Sequence, residues 1–450
     1  MTANDRTLVL FNYDWDASAF ARLRGRWQLD DAGFDLFSFP SYLRLASFDL
    51  RRFVDRLAQR ARRGAWRAVV SHHEQFGALG AALLAEAMGW PGTPVAAVLA
   101  CQHKVLARQV LQRVAPEANL PFTRLRARYG EPIPHGLHYP AFAKPVKAAF
   151  SVLARRVSNH AQLTALTRFG QLEQWIIQRL VEPFDAIARE RLGDVPSAHG
   201  MLLEEPVDAP QFNLDGYVLR GAVRAIGVVD AVMYPGTGAF QRFDRPSRLP
   251  ERAQERALDV AARFLKAVGF DHGFFNMEFF YDVATDALKV IEFNPRLASQ
   301  LADLYRRVDG IDAHAGSLAL AHGQDPDRVM RCAPSAGAAA SFVFRSFDRE
   351  RVPTAPTPRR VRSFNGRFPD AWLQAMPKQG RGLARDFKWL GSHRYGVLHL
   401  GGTDAIDLHE RYRRACALLG WPAAEARDLH VHLPTMPVAR VLPHVEGVPT

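Results

Sequence analysis

Apolar runs broken by short polar or glycine-rich stretches divide the chain into strand and helix signals. Residues 7–13 and 66–71 read as strands, being apolar, aromatic or β-branched and short. Residues 76–88 read as a helix stopped by Gly89-Trp90-Pro91-Gly92, and residues 95–114 as one continuous second helix ended by Pro116. This alternation predicts an open α/β unit over residues 1–120. The pattern then changes. Residues 139–147 predict a strand running into a loop of small residues, Ala148-Ala149-Phe150-Ser151, and residues 201–207 predict another. Residues 213–220 and 223–229 form a strand pair turning at Gly221, and an amphipathic helix over 251–268 ends at Gly269. Residues 233–248, rich in Gly, Phe and Arg, read as an insertion-like loop placed to cover an acceptor. Two aromatic-rich strands follow, 274–280 and 290–296, separated by the polar stretch 282–286, and a helix starts near Ala298. An Ala/Gly/Ser-rich segment and a proline-rich connector, 352–358, open a last part, 331–450. There a strand over 395–400 leads into a helix for which Thr403 is the expected cap.

The hairpin carries the chemistry. Centred on Thr285, it sets Glu278 directly opposite Glu292, and strand alternation puts Asn294 on the face of Glu292. Like charges opposite one another destabilise a sheet, and the surrounding phenylalanines make their burial costlier. A cation between them resolves the conflict. Three hard oxygen ligands suit Mg²⁺, with Mn²⁺ as an alternative, and Mg²⁺ usually keeps positions open for water and phosphate oxygens.

Composition alters this picture only in part. At 450 residues, with 48% hydrophobic and 23% charged residues, the chain has the make-up of a globular protein of two or three domains. No apolar run approaches the ~18 residues of a membrane span, and the N-terminus shows no secretory pattern. Cys101, Cys332 and Cys416 are far apart and odd in number, which suits a reducing, cytoplasmic setting and no metal site. His72 and His73 are adjacent on a strand and so point to opposite faces, which argues against a metal site there. The formal charge of +12 is carried almost wholly by arginine. Only seven of the 58 basic residues are lysines, and three of these, Lys104, Lys144 and Lys147, cluster in sequence. A basic surface can steer anionic ligands such as nucleotides. The densest basic run, 51–67, is interrupted by Phe53, Val54, Leu57 and Ala61 at helical spacing, so it reads as a solvated helix face rather than a nucleic-acid surface.

Taken in order, these pieces resemble the ATP-grasp superfamily over roughly residues 100–320. Lys104 in Gln102-His103-Lys104 corresponds to the lysine that opens the family's lid region, and Phe142-Ala143-Lys144-Pro145 to its second nucleotide lysine. The segment from Lys147 to Ser151 sits where the family has a glycine-rich loop over the phosphates, here with Ala148, Ala149 and bulky Phe150 in place of glycines. Glu204-Glu205-Pro206-Val207 resembles the hinge strand along the adenine. Glu278, Glu292 and Asn294 match the metal ligands, and Arg296 the arginine that follows them.

The resemblance implies an α/β and α+β multidomain protein: an N-terminal open α/β (pre-ATP-grasp) domain, 1–120; an ATP-grasp domain, 121–330, with a lid over about 123–205 and a metal-binding core over about 206–325; and a C-terminal α+β module, 331–450. It implies ATP and Mg²⁺ as cofactors. Lys104, Lys144, Lys147 and Ser151 would meet the phosphates. The Glu204 or Glu205 carbonyl and the Val207 N–H would meet the adenine, and Gln211 would stand where many relatives place a glutamate on the ribose. Arg296 and Lys144 would act on the transferring phosphoryl group. The implied activity joins a small-molecule carboxylate to an amine, or another nucleophile, through an acyl phosphate, releasing ADP and phosphate. Carboxylation, phosphorylation or nucleotide binding without turnover are the alternatives. A membrane partner is not expected, nucleic acid is disfavoured, and a homo-oligomer is left open.

Overall fold

The computed structural model describes residues 6–34, 47–127, 129–148 and 152–424. Ser151 and most of the small-residue loop lie outside them. Among the described residues the strands form three sheets. The first is parallel: β1 (Arg6–Leu10) lies between β2 (Gln28–Ala32) and β3 (Ala68–Val70). Leu8, Val9 and Leu10 are buried, as a parallel strand covered on both faces requires. Helices α1 (Asp14–Leu23), α2 (Leu50–Arg62) and α3 (Gly77–Met88) accompany this sheet. The basic run is α2: Val54, Leu57, Ala58 and Ala61 are buried, and its arginines stay exposed.

The single helix expected over 95–114 is two helices, α4 (Val95–Gln102) and α5 (Lys104–Val114). His103, at φ −91° and ψ 95°, leaves the helical region between them. Its Nδ1 accepts from the Leu106 N–H at 3.3 Å, capping α5, while Nε2 donates to the Pro196 carbonyl at 2.7 Å. No glycine or proline marks this break, so apolar periodicity runs through it unnoticed.

The second sheet is antiparallel, in the order β4-β7-β5-β6, from β4 (Phe122–Arg124), β5 (Ala141–Pro145), β6 (Arg155–Val157) and β7 (Met201–Glu204). Helices α6 (His160–Thr167) and α7 (Gln171–Leu192) fall between β6 and β7. The third sheet has eight strands: β8 (Gln211–Leu219), β9 (Ala222–Met233), β10 (Phe240–Arg245), β11 (His272–Asp282), β12 (Ala287–Asn294), β13 (Ala338–Ser346), β14 (Trp372–Ala375) and β15 (His393–Gly402). Their order is β12-β11-β8-β9-β10-β13-β15-β14, so the sheet runs unbroken across residue 330. Arg220 and Gly221 turn β8 into β9 with φ of 52° and 81°, the doubly left-handed geometry of a type I′ hairpin.

Two local expectations are corrected. Residues 233–248 are not a covering loop: β10 lies inside the sheet between β9 and β13, with Phe243 buried and Arg242 paired to Asp244 at 2.8 Å. The cap after β15 is Asp404, not Thr403. Its Oδ1 accepts from the Ile406 and Asp407 N–H groups at 2.8 and 2.9 Å, which a carboxylate does better than a hydroxyl.

Helix α8 (Glu251–Ala267) buries Ala257, Val260, Ala261 and Phe264. Phe264 stacks on Phe293 with ring centroids 3.8 Å apart. Phe293 lies between Glu292 and Asn294 in β12, so its ring packs on the face opposite theirs. Helices α9 (Ser299–Val308) and α10 (Ala313–Ala321) follow β12, and α11 (Pro358–Arg367), α12 (Gly380–Leu390) and α13 (Ala405–Leu419) accompany the last strands. No described helix is long and apolar enough to cross a membrane. Phe264→Ala removes the support beneath β12 and should cost ~3–5 kcal/mol of stability, read as a lowered denaturant midpoint.

Candidate functional site

The hairpin β11–β12 has the expected register: Glu278 pairs with Glu292, and Asn276 with Asn294. A register shift after Glu278 lets the strands curl beyond the pair. Glu278 is half-buried, and Glu292 keeps 27% of its side chain exposed. The two carboxylates part in character. Burial, followed by the facing charge of Glu292, pushes Glu278 up to about 8. Glu292 is also pulled up by burial, but Lys104 and Lys144 outweigh this and hold it below the usual carboxylate range. One proton and one ammonium therefore ease the repulsion. Lys104 Nζ lies 3.1 Å from Glu292 Oε2.

Asn294 is held by a buried chain of polar groups. Its Nδ2 donates to Asn276 Oδ1 at 3.0 Å and to Glu278 Oε1 at 3.3 Å. Asn276 Nδ2 donates to Asp215 Oδ1 at 3.2 Å, and the Tyr305 hydroxyl to Asp215 Oδ2 at 2.8 Å. With its nitrogen engaged, Asn294 has only its carbonyl oxygen to offer a cation. Burial pushes Asp215 up to about 7 against the downward pull of these two hydrogen bonds. Gln211, expected near a ribose, sits beside the carboxylates and donates from Nε2 to Glu278 Oε2 at 2.9 Å.

The lysines approach from two sides. The break at His103 makes Lys104 the first residue of α5, where its N–H donates to the Val146 carbonyl at 3.2 Å and its ammonium to the Ala148 carbonyl at 3.1 Å. Lys144 on β5 is buried. It lies 2.8 Å from Glu204 Oε2 and donates to the Ile291 carbonyl of β12 at 3.0 Å. Lys147 is buried over the Phe184 ring, with Glu74 Oε1 at 3.8 Å. Burial lowers both ammoniums to about 8, with Glu204 and Glu74 respectively opposing the fall. Arg296 donates from Nε to Glu74 Oε2 at 2.7 Å. Of the hinge residues, Glu204 ends β7 with its side chain buried. Glu205 follows, exposed, with its N–H donating to the Pro121 carbonyl, and Val207 is half-buried.

Two residues that the motifs did not single out tie this together. Glu74 follows β3 and receives Arg296, Lys147 and Gln102, the last from Nε2 at 2.8 Å. Its position past the carboxyl end of a parallel strand, where ligand clefts of open α/β sheets lie, is the signal that could have found it. Arg108 on α5 is 2% exposed. It donates to Glu204 Oε1 at 2.6 Å, to the Val290 carbonyl at 2.7 Å and to the Ile291 carbonyl at 3.0 Å. It lies on the same helix as Lys104, one turn further on, and nothing in its sequence context separates it from a surface arginine.

No family model matches the chain. Over 263 residues it is 32% identical to carnosine synthase 1 of Gallus gallus, which takes in 56% of this chain and 27% of that protein. The chain spans about a quarter of the length of the curated relatives it matches. Among solved structures it is similar to the L-amino acid ligase from Bacillus licheniformis, with a TM-score of 0.65, 15% identity and coverage of 93% of this chain and 98% of that one. The N5-carboxyaminoimidazole ribonucleotide synthetase from Thermus thermophilus gives a TM-score of 0.58 at 17% identity, covering 93% and 100%. These structures share one architecture, the ATP-grasp fold. The chain has that fold, in a mixed α/β form that extends over most of its length.

A carboxyl raised from 4.5 to about 8 stabilises the folded protein while protonated. That stabilisation is complete below the ordinary carboxylate range and is lost as pH climbs through 8. Metal-free protein should thus lose thermal stability between roughly pH 4.5 and 8, and Glu278→Gln should flatten this slope. Thermal melts of both proteins across this range, in the presence of a chelator, provide the check.

Proposed function

We propose that this chain is an ATP-dependent ligase that joins a carboxylate to an amine through an acyl phosphate, releasing ADP and phosphate. The observation that carries the reading is the facing pair Glu278 and Glu292, with Asn294 beside them and a ring of lysine and arginine around them. Two carboxylates and an amide oxygen are a hard donor set, and in this structure the Lys104 ammonium beside Glu292 meets part of the pair's repulsion. These residues fit Mg²⁺: Glu278, Glu292 and Asn294 would hold it, and Gln211 would orient Glu278. When bound, the ion supplies charge neutralisation at the β- and γ-phosphates.

The chain's own groups then position the reactants. Lys104 reaches the phosphates from α5, and Lys144 and Lys147 from β5 and the turn that follows it. A lysine is a compact point charge suited to this task. The Glu204 or Glu205 carbonyl and the Val207 N–H edge the adenine. Arg296, oriented by Glu74, presents its fork to the transferring phosphoryl group. A carboxylate oxygen of the substrate bonds to the γ-phosphorus as the bond to the β–γ bridging oxygen breaks, and ADP leaves. The amine nitrogen then bonds to the acyl carbon, the carbon–oxygen bond to phosphate breaks, and the nitrogen loses a proton. No covalent bond to the protein is needed. The local identity to a protein named carnosine synthase supports ligation over carboxylation or simple phosphorylation.

Incubation with Mg-ATP and pooled carboxylates and amines should yield ADP together with an amide mass, and ADP only when both substrates are present. AMP with pyrophosphate would overturn the acyl-phosphate route, and a carboxylated or phosphorylated product would overturn ligation. Glu292→Gln should lower turnover by at least ~10²-fold while leaving the far-ultraviolet dichroism spectrum intact.

A further inference from the structure

A second feature lies outside the carboxylate site. A cavity of about 520 Å³ opens between helix α7 and the C-terminal segment that carries β14, α12 and the start of β15. This is the size of a small-molecule site. One wall is apolar: Ile177, Leu180 and Val181 of α7 face Trp389 of α12. The charged lining is mostly cationic. Arg345, Arg385 and Arg394 stand against two carboxylates, Asp14 and Asp386. Asp386 is already engaged, by Lys378 at 3.0 Å and by His393 at 2.9 Å, and Asp14 is hydrogen-bonded to Gln374.

Arg345 is the informative residue. It stands near the end of β13, and its Nη1 donates to Ser392 Oγ at 2.9 Å. Its Nε has no hydrogen-bond partner among the described residues but is itself closed to solvent, so the Nη end of the fork is what an occupant of the cavity can meet. The N–H donors of a guanidinium match a carboxylate. Lys147 and Ala148 also line the cavity. Lys147 shares Glu74 with Arg296, so this part of the lining lies one ion pair from the arginine beside the carboxylate site.

We infer that this cavity binds an amphipathic carboxylate, with its apolar body between α7 and Trp389 and its anionic group on Arg345. In the ligase reading, on which the occupant's role as a substrate rests, its far end then points past Lys147 toward the phosphates. The occupant's binding does not depend on that reading. It selects a substrate that carries a carboxylate remote from its reacting group, joined to it by an apolar or aromatic body.

Calorimetric titration of the whole chain, without nucleotide, separates these terms. The probes are 3-phenylpropionate, 3-phenylpropanol and acetate. The phenyl acid should bind at least ~10-fold more tightly than either the alcohol or acetate, because only it satisfies both wall and fork. Arg345→Gln should remove this advantage and leave the affinity for the alcohol unchanged, with an unaltered circular-dichroism spectrum and thermal melt showing that the variant is folded. Leu180→Trp, which fills the cavity and keeps Arg345, should abolish binding of both phenyl probes, and decides the matter if Arg345→Gln does not fold. Equal affinity for acid and alcohol, an unchanged acid affinity in Arg345→Gln, or unchanged binding in Leu180→Trp would overturn the site. Phenylpropionate binding in a protein that forms no ADP would leave the site standing and remove the ligase reading instead.

Discussion

Two acidic side chains directly opposite on neighbouring strands impose the central constraint on this molecule. Glu278 and Glu292 cannot both be charged in an enclosed setting unless positive charge is brought to them. Much of the surrounding architecture serves that end. The break between α4 and α5 delivers Lys104, β5 delivers Lys144, and the turn after β12 delivers Arg296. Each basic group is itself restrained by a partner, so the positive charge is fixed in place rather than borne on loose side chains.

For Lys144 and Arg296, Glu204 and Glu74 provide that restraint. Glu74, from the parallel sheet, gathers Arg296 and Lys147; Glu204, from the four-stranded sheet, gathers Arg108 and Lys144. Arg108 and Lys144 both reach the Ile291 carbonyl of the eight-stranded sheet. The three sheets are thereby joined by buried ion pairs and by hydrogen bonds to the backbone of β12. Losing one partner of such a pair strands the other charge in a poor solvent, which is far costlier than the pair's net worth.

The hairpin, its facing carboxylates and the strand–helix alternation of the first 120 residues were legible because each rests on local pattern: strand period, turn chemistry and residue type. What escaped detection depended on contacts distant in sequence. Arg108 sits on a helix among other polar residues, and only its burial against β12 distinguishes it. The break at His103 depends on a bond to Pro196, 93 residues away. Strand β10 looked like a loop because its glycine-rich approach and its charged residues, Arg242 and Asp244, mask a strand whose charges neutralise one another. Gln211 was placed by analogy of position; its bond to Glu278 comes from the pairing of β8 with β11, which local pattern does not specify.

The four-stranded sheet has a further point of attachment. On one side Lys144 binds the Ile291 carbonyl. On the other, the Leu153 N–H donates to the Trp389 carbonyl at 2.9 Å, and Lys388 meets Glu173 of α7 at 2.6 Å. A flap fixed at one edge can swing without disturbing anything beyond its hinge. A span seated on two abutments cannot: any displacement at the Lys144 end must be absorbed within the span or passed on to the Trp389 end. The C-terminal segment and the β5 ammonium are therefore tied to the same span, one at each abutment.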